Sequence, residues 1–286
     1  MKKIDPCKLK EIEERHWEYC KCLRPKGLDK SSQMDKFKKL CIDNPFDFSR
    51  NYGEFPYLKN ELLELSEVDL KGQYEDFRSN KLKKDWDGVK LIDALGINVC
   101  PYCGINYFSI VSKANSGIVS EATFDHYLPK SKYPMLALNL YNLIPSCKNC
   151  NSTFKLDDPQ LIINPFFEAV EDLINFKLLP GDTISNILNS DYDLQIEIEQ
   201  KLPDDEKSKN HIDVLALKNR YNYFSDIAKS IIKKKVTYTE EYVGELSDIK
   251  GLCLSPEDIK KMLMYQDIYN DNEPFLKFKN DIWESL

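Results

Sequence analysis

CPYCGINYFSIVSKANSGIVSEATFDHYLPKSKYPMLALNLYNLIPSCKNCN, residues 100–151, begins and ends on a pair of cysteines two residues apart. The pattern is C-x2-C-x43-C-x2-C, formed by Cys100, Cys103, Cys147 and Cys150. A two-residue gap lets both thiolates of a pair turn toward one ion, and zinc takes four such ligands in a tetrahedron. Gly104, directly after the first pair, suits the tight turn of a metal knuckle. The doubled spacing therefore points to a structural Zn2+ site rather than to four unrelated buried thiols. Such a site is closed to water and substrate, so any chemistry lies elsewhere, in the insert that the clip ties together.

The rest of the chain sets the frame. At 286 residues it can bury a sizeable core, and 42% hydrophobic with 30% charged residues describes a soluble globular protein. No apolar run reaches membrane-spanning length, so no membrane partner is expected; YPMLALNLYNLIPSC is interrupted by Pro134, Asn139, Asn142 and Pro145. The N-terminus, MKKIDPCKLKEIEE, has no apolar stretch of the kind that directs secretion, and a cytoplasmic location is expected. Paired C-x-x-C among nine cysteines fits metal in a reducing compartment better than disulfides. Net charge is −7, so no global basic field advertises nucleic acid, yet residues 101–155 carry five lysines against Glu121 and Asp125.

Three regions follow. Residues 1–96 read as helical, with helices expected over CKLKEIEERHWEYCKCL, MDKFKKLCI, YLKNELLELSEV and DWDGVKLIDALG, the last stopped by Gly96. Residues 97–165 change to short β-branched and aromatic runs, a small β-element, with KNCNSTFKL beginning a short helix. Residues 166–286 carry strands in INFKLLPGDTI and DLQIEIEQKL. An amphipathic helix is expected over 211–235, with Leu217, Tyr221, Phe224, Ala228 and Ile231 on one face, and a last helix starting at Ser255-Pro256. The expected fold class is α+β: a zinc-stapled core with mainly helical flanks on both sides.

Within the insert, Asp125 directly precedes His126, one of three histidines. Hydrolysis of a phosphodiester needs a base to take a proton from water, and a cation to steady charge on the phosphoryl oxygens. Imidazole suits the first task and a carboxylate is a hard ligand for the second. Neighbours in a strand face opposite ways, so the two can share one site only if the strand ends or bends, and Tyr127-Leu128-Pro129 supplies an end. Taken singly, Asp-His reads as a surface pair, Asn142 as a turn residue and Asn151 as a helix cap. Their joint placement inside the cysteine-bounded insert is what points to chemistry.

FDHYLPKSKYP…LNLYNLIPSCKNCNSTFK resembles the HNH, or His-Me finger (ββα-metal), endonuclease family, in its four-cysteine zinc subgroup, over roughly residues 97–165. The resemblance implies His126 as general base and Asp125 as a ligand of a catalytic Mg2+ or Mn2+. It implies Asn142 as the residue that holds the loop, and Asn151 as the last cation ligand. The final position is Asn where the family pattern has His, and Asn151 to Lys155 is one residue longer than the common form, which bears on Lys155 more than on Asn151. The flanking regions are similar to HNH effector subunits of Septu-type anti-phage systems, which implies a defence role and an ATPase or other regulatory subunit as partner. Nucleic acid is the implied substrate, DNA ahead of RNA. The alternative is a zinc-stapled nucleic-acid-binding or scaffold protein without catalysis.

Lys130 and Lys132 either hold substrate phosphates or are solvated loop charges. His16, near Cys7, Cys20 and Cys22, suggests a second metal less than an ordinary helix position, since Cys20 and Cys22 diverge by roughly 200° around a helix. His211 is expected as a surface or cap residue, and Cys41 and Cys253 as small buried hydrophobes.

Overall fold

The computed structural model describes residues 4–46, 59, 62, 64–79, 84–113, 117–158, 161–179, 183–189, 191–251, 253–263 and 272–285. The N-terminal region contributes α1 (Pro6–Cys20), α2 (Lys30–Ile42), α3 (Lys71–Arg78) and α4 (Gly88–Leu95). Asp5 caps α1 by accepting from the Cys7 amide, with proline in the first turn. Leu9, Ile12, His16, Tyr19 and Cys20 recur at helical spacing on its buried face. Asp87 caps α4, and Gly96 at φ 66° ends it as expected, in a conformation that glycine adopts without a Cβ clash. The helix expected over YLKNELLELSEV falls mostly outside the described residues, although Leu62, Leu65 and Val68 are buried.

The middle of the chain holds two short antiparallel pairs. β1 (Ile110–Lys113) pairs with β2 (Gly117–Ser120), and β3 (Thr123–His126) with β4 (Leu143–Ser146). In the second pair His126 lies opposite Leu143 and Phe124 opposite Pro145. The strand alternation decides what each residue of β3 meets. Phe124 and His126 face the N-terminal helices, against Phe77 and Tyr74 of α3. Thr123 and Asp125 face the other way, toward a one-turn π-helix at Cys150–Lys155. Both faces of a four-residue strand are therefore covered, which is why Phe124, Asp125 and His126 are all buried.

The C-terminal region pairs β5 (Ile174–Leu178) with β6 (Ile196–Gln200). The helix expected over 211–235 is instead three: α6 (Glu206–Val214) after α5 (Ile184–Ile187), then α7 (Leu217–Tyr223) and α8 (Ser225–Thr237). The breaks fall at Ala216, at φ 48°, and at Phe224. Breaking there lets Leu215 and Leu217 both reach full burial, which one straight helix face would not permit. α9 (Glu240–Ser247), α10 (Pro256–Leu263) and α11 (Leu276–Glu284) complete the chain. Ser255 starts α10 as the sequence predicts, its hydroxyl accepting from the Asp258 amide while the Asp258 carboxylate accepts from Ser255. A single hydrophobic cluster runs from Ile4 to Trp283 through all three regions. No helix among the described residues is long and apolar enough to cross a membrane.

Candidate active site and metal centre

Cys100, Cys103, Cys147 and Cys150 are buried, carry no disulfide, and bring their sulfur atoms within 4.8 Å of one another. The Cys103 and Cys147 sulfurs stand 4.0 Å apart. A tetrahedron of thiolates at the usual Zn–S length has edges of about 3.8 Å, so the cluster fits zinc without rearrangement. The knuckle is also shaped for thiolates. Gly104 turns at φ 63°, its amide donates to Cys100 O at 2.8 Å, and the amides of Ile105, Cys147 and Cys150 approach Cys103, Cys100 and Cys147 sulfurs at 3.5, 3.4 and 3.4 Å.

Three side chains from the C-terminal helices fasten onto this centre. Tyr221 donates its hydroxyl to Cys103 O at 2.7 Å. His211 donates Nε2–H to Tyr102 O at 2.8 Å and is fully buried, so it is not the surface or cap residue expected from the sequence. Arg220 places Nη1 3.4 Å from the Cys150 sulfur while its guanidinium lies over the Phe154 ring at 4.6 Å. A zinc with four thiolates carries a net charge of about −2, and a half-buried guanidinium is the matching counter-charge. Cys41 is buried as expected, whereas Cys253 is exposed.

His126 ends β3. Its Nε2 lies 3.1 Å from Ala137 O, and a carbonyl only accepts, so the neutral ring carries its proton there and its lone pair on Nδ1. Nδ1 makes no hydrogen bond among the described residues, and the residue keeps 8% exposure. Burial lowers the imidazole pKa from 6.5 to about 4, helped by the charges of Lys130 and Lys155 and opposed by the Ala137 bond. Tyr74 of α3 sets its ring edge-on at 4.4 Å, and Lys130 lies over the far side of that tyrosine at 4.4 Å. Lys130 also pairs with Glu75 at 2.8 Å.

Asn142 closes the loop that follows β3. Its Oδ1 accepts from the Leu128 amide at 2.7 Å, and Nδ2 donates to Leu128 O and Leu136 O at 3.1 and 3.2 Å. One carboxamide thus ties both ends of the loop across its mouth.

Asp125 is 1% exposed, with Oδ2 accepting from Tyr102 Oη at 2.7 Å and Oδ1 from Lys155 Nζ at 3.1 Å. Lys155 also donates to His126 O at 3.1 Å. The extra residue between Asn151 and Lys155 is taken up by the π-helix, in which the Leu156 amide reaches back five residues to Asn151 O. Asn151 donates Nδ2 to Thr123 Oγ1 and to Phe124 O, both at 3.0 Å, which leaves its Oδ1 uncommitted. A hard divalent cation accepts carboxylate and carboxamide oxygens, and each Asp125 oxygen retains a lone pair, so the donor set fits such an ion in kind. Access is narrow, because the Lys155 ammonium already lies on the carboxylate.

Sequence reasoning passed over Tyr74, Tyr102, Arg220 and His16. Tyr102 stands between two ligand cysteines, the one signal that could have drawn attention to it. The others lie far away in sequence and carry no local pattern.

A hairpin ended by Asp-His, a loop tied by Asn and a short helix opened by Asn, all on a four-cysteine knuckle, define an HNH-type site. Residues 100–154 match the family model of HNH endonuclease. The Septu protein PtuB of Bacillus thuringiensis is 36% identical over 74 residues, 23% of this chain and 29% of that protein. Protein ea31 of Escherichia phage lambda is 30% identical over 74 residues, 24% of this chain and 21% of that protein. The matched stretch thus spans under a third of either relative's length. No solved structure matches.

Three outcomes are expected. The zinc-loaded protein contains about one zinc per chain, and Arg220→Met lowers zinc affinity in chelator competition by about 10- to 100-fold. Lys155→Met leaves the Asp125 charge buried without its cation and lowers unfolding free energy in urea by about 3–5 kcal/mol. Adding Asp125→Asn returns most of that loss. The third concerns acid. An unfolded imidazole takes up its proton near 6.5 and His126 only near 4, so stability present above pH 6.5 is lost as pH falls toward 4. Between pH 7 and 5 the wild type should lose about 2 kcal/mol more than His126→Gln in urea denaturation.

Proposed function

We propose that the chain is a metal-dependent endonuclease that hydrolyses phosphodiester bonds of nucleic acid, with His126 as general base. The observation that carries the reading is the commitment of Nε2 to Ala137 O. It puts the lone pair of a ring that stays neutral at pH 7 on Nδ1, the one ring atom without a partner. A base in this state takes a proton from water without first losing one. Asn142 keeps the loop closed, so the Ala137 carbonyl stays opposite the ring as the imidazole becomes imidazolium. Asp125 and Asn151 would hold Mg2+ or Mn2+, which when bound supplies positive charge at the phosphoryl and leaving oxygens. Lys130, beside the base, exchanges its Glu75 carboxylate for a backbone phosphate.

DNA is the expected substrate ahead of RNA, because a site of this size grips one backbone and lacks a module that reads bases. The relation to the Septu protein supports a role in anti-phage defence beside an ATPase or other regulatory subunit, in the cytoplasm. The engagement of both Asp125 oxygens favours one second reading, a zinc-stapled nucleic-acid-binding protein that does not cut.

Plasmid DNA and a structured RNA, each incubated with Mg2+ or Mn2+, separate the two. The nuclease reading expects nicking that falls on the order of 10²–10⁴-fold in His126→Ala. Binding with equal background in wild type and variant under every cation favours the second.

A further inference from the structure

The loop between β3 and β4 offers three carbonyls in succession to three side chains. Leu136 O accepts from Asn142 at 3.2 Å, Ala137 O from His126 at 3.1 Å, and Leu138 O from His16 Nε2 at 2.8 Å. The next residue, Asn139, donates Nδ2 to Leu40 O at 2.7 Å and Asp43 O at 3.0 Å, at the end of α2. Its Oδ1 accepts from the Asn142 amide at 3.1 Å. The strip of backbone that faces the base is thus gripped from the outside by helices that lie beyond the matched segment.

His16 is the centre of that grip. It is completely buried, and the Trp86 indole donates Nε1–H to its Nδ1 at 3.2 Å. An indole has only a proton to give, so Nδ1 holds a lone pair and the ring proton sits on Nε2, aimed at Leu138 O. Both nitrogens are therefore matched, as a buried imidazole requires. His211 differs: its buried Nδ1 has no partner. Phe77 stands edge-on to His16 at 5.3 Å and fixes the plane of the ring.

We propose that His16, oriented by Trp86, is a positioning residue for the hydrolysis: it holds the 138 carbonyl so that the neighbouring 137 carbonyl keeps the His126 proton on Nε2. The inference rests on the reading of His126 as the base. Peptide planes are rigid and consecutive, so releasing the 138 carbonyl lets the 137 carbonyl turn away from the ring. A displacement of about 1 Å at a reacting group can cost on the order of 10²-fold in rate.

The test uses the zinc-loaded full chain, with 15N-histidine spectra and hydrolysis kinetics on the same samples. Wild-type His126 is expected as the Nε2–H tautomer. In His16→Phe the His126 signals move to a mixture of tautomers, and kcat falls on the order of 10²-fold with KM unchanged. His16→Gln keeps one donor for Leu138 O and one acceptor for Trp86, and recovers most of both. A folded His16→Phe with the wild-type tautomer and kcat overturns the proposal, as does a Gln variant that loses as much as Phe. If His16→Phe does not fold, Trp86→Phe removes only the indole donor; a shift of the His126 tautomer in the same direction supports the proposal, and none overturns it. Wild-type protein that cleaves nothing counts against His126 as base, while the tautomer measurement still decides what His16 does.

Discussion

Four thiols meeting in one buried space are the constraint from which the rest of the site follows. β3 and β4 are four residues each, too short to stay paired on their own. The cluster joins the knuckle before β3 to the turn after β4, so a bound ion closes the ends of the unit and leaves only the loop between the strands to be fixed. Asn142 does that from inside, and the N-terminal helices from outside. The C-terminal helices brace the metal side through Arg220, Tyr221 and His211. A core motif of some fifty residues thereby draws its rigidity from segments on both sides of it.

The two faces of β3 divide the electrostatics. Asp125 points into the metal-side layer, where Lys155 and Tyr102 satisfy it and where its charge is compensated with almost no water. His126 points the opposite way, against Tyr74, and stays neutral because burial and two nearby lysines all disfavour a positive ring. Lys155 links the faces, donating to the Asp125 carboxylate and to the His126 carbonyl. The strand does not need to bend for acid and base to serve one centre; it ends at His126, and the π-helix brings Asn151 and Lys155 to its edge.

The parts legible in the sequence are those written in local spacing. C-x2-C pairs, Asp beside His, Asn142 ahead of β4, the Gly96 stop and the Ser255 cap depend on neighbours within a few residues. The parts that escaped depend on distant chain segments. His16 lies 122 residues from the carbonyl it holds, Arg220 70 residues from its cysteine, and neither carries a pattern at that range. Apolar periodicity over 211–235 suggested one helix because it records which residues are buried, not whether the backbone between them is continuous. The turn at Ala216 keeps the same residues inside while changing direction. The extra residue before Lys155 looked like a departure in the linear pattern, and a single π-turn absorbs it.

Hydrogen exchange on the zinc-loaded chain, before and after chelation, measures most directly whether the metal clip holds the loop. The Leu128 amide, bound to Asn142 Oδ1, and the paired amides of β3 and β4 are the reporters. On zinc removal they are expected to lose protection together, while α1 and α2 keep theirs. Unchanged protection at Leu128 and in the hairpin would mean that packing alone fixes the base, and that the four cysteines do not organise the site.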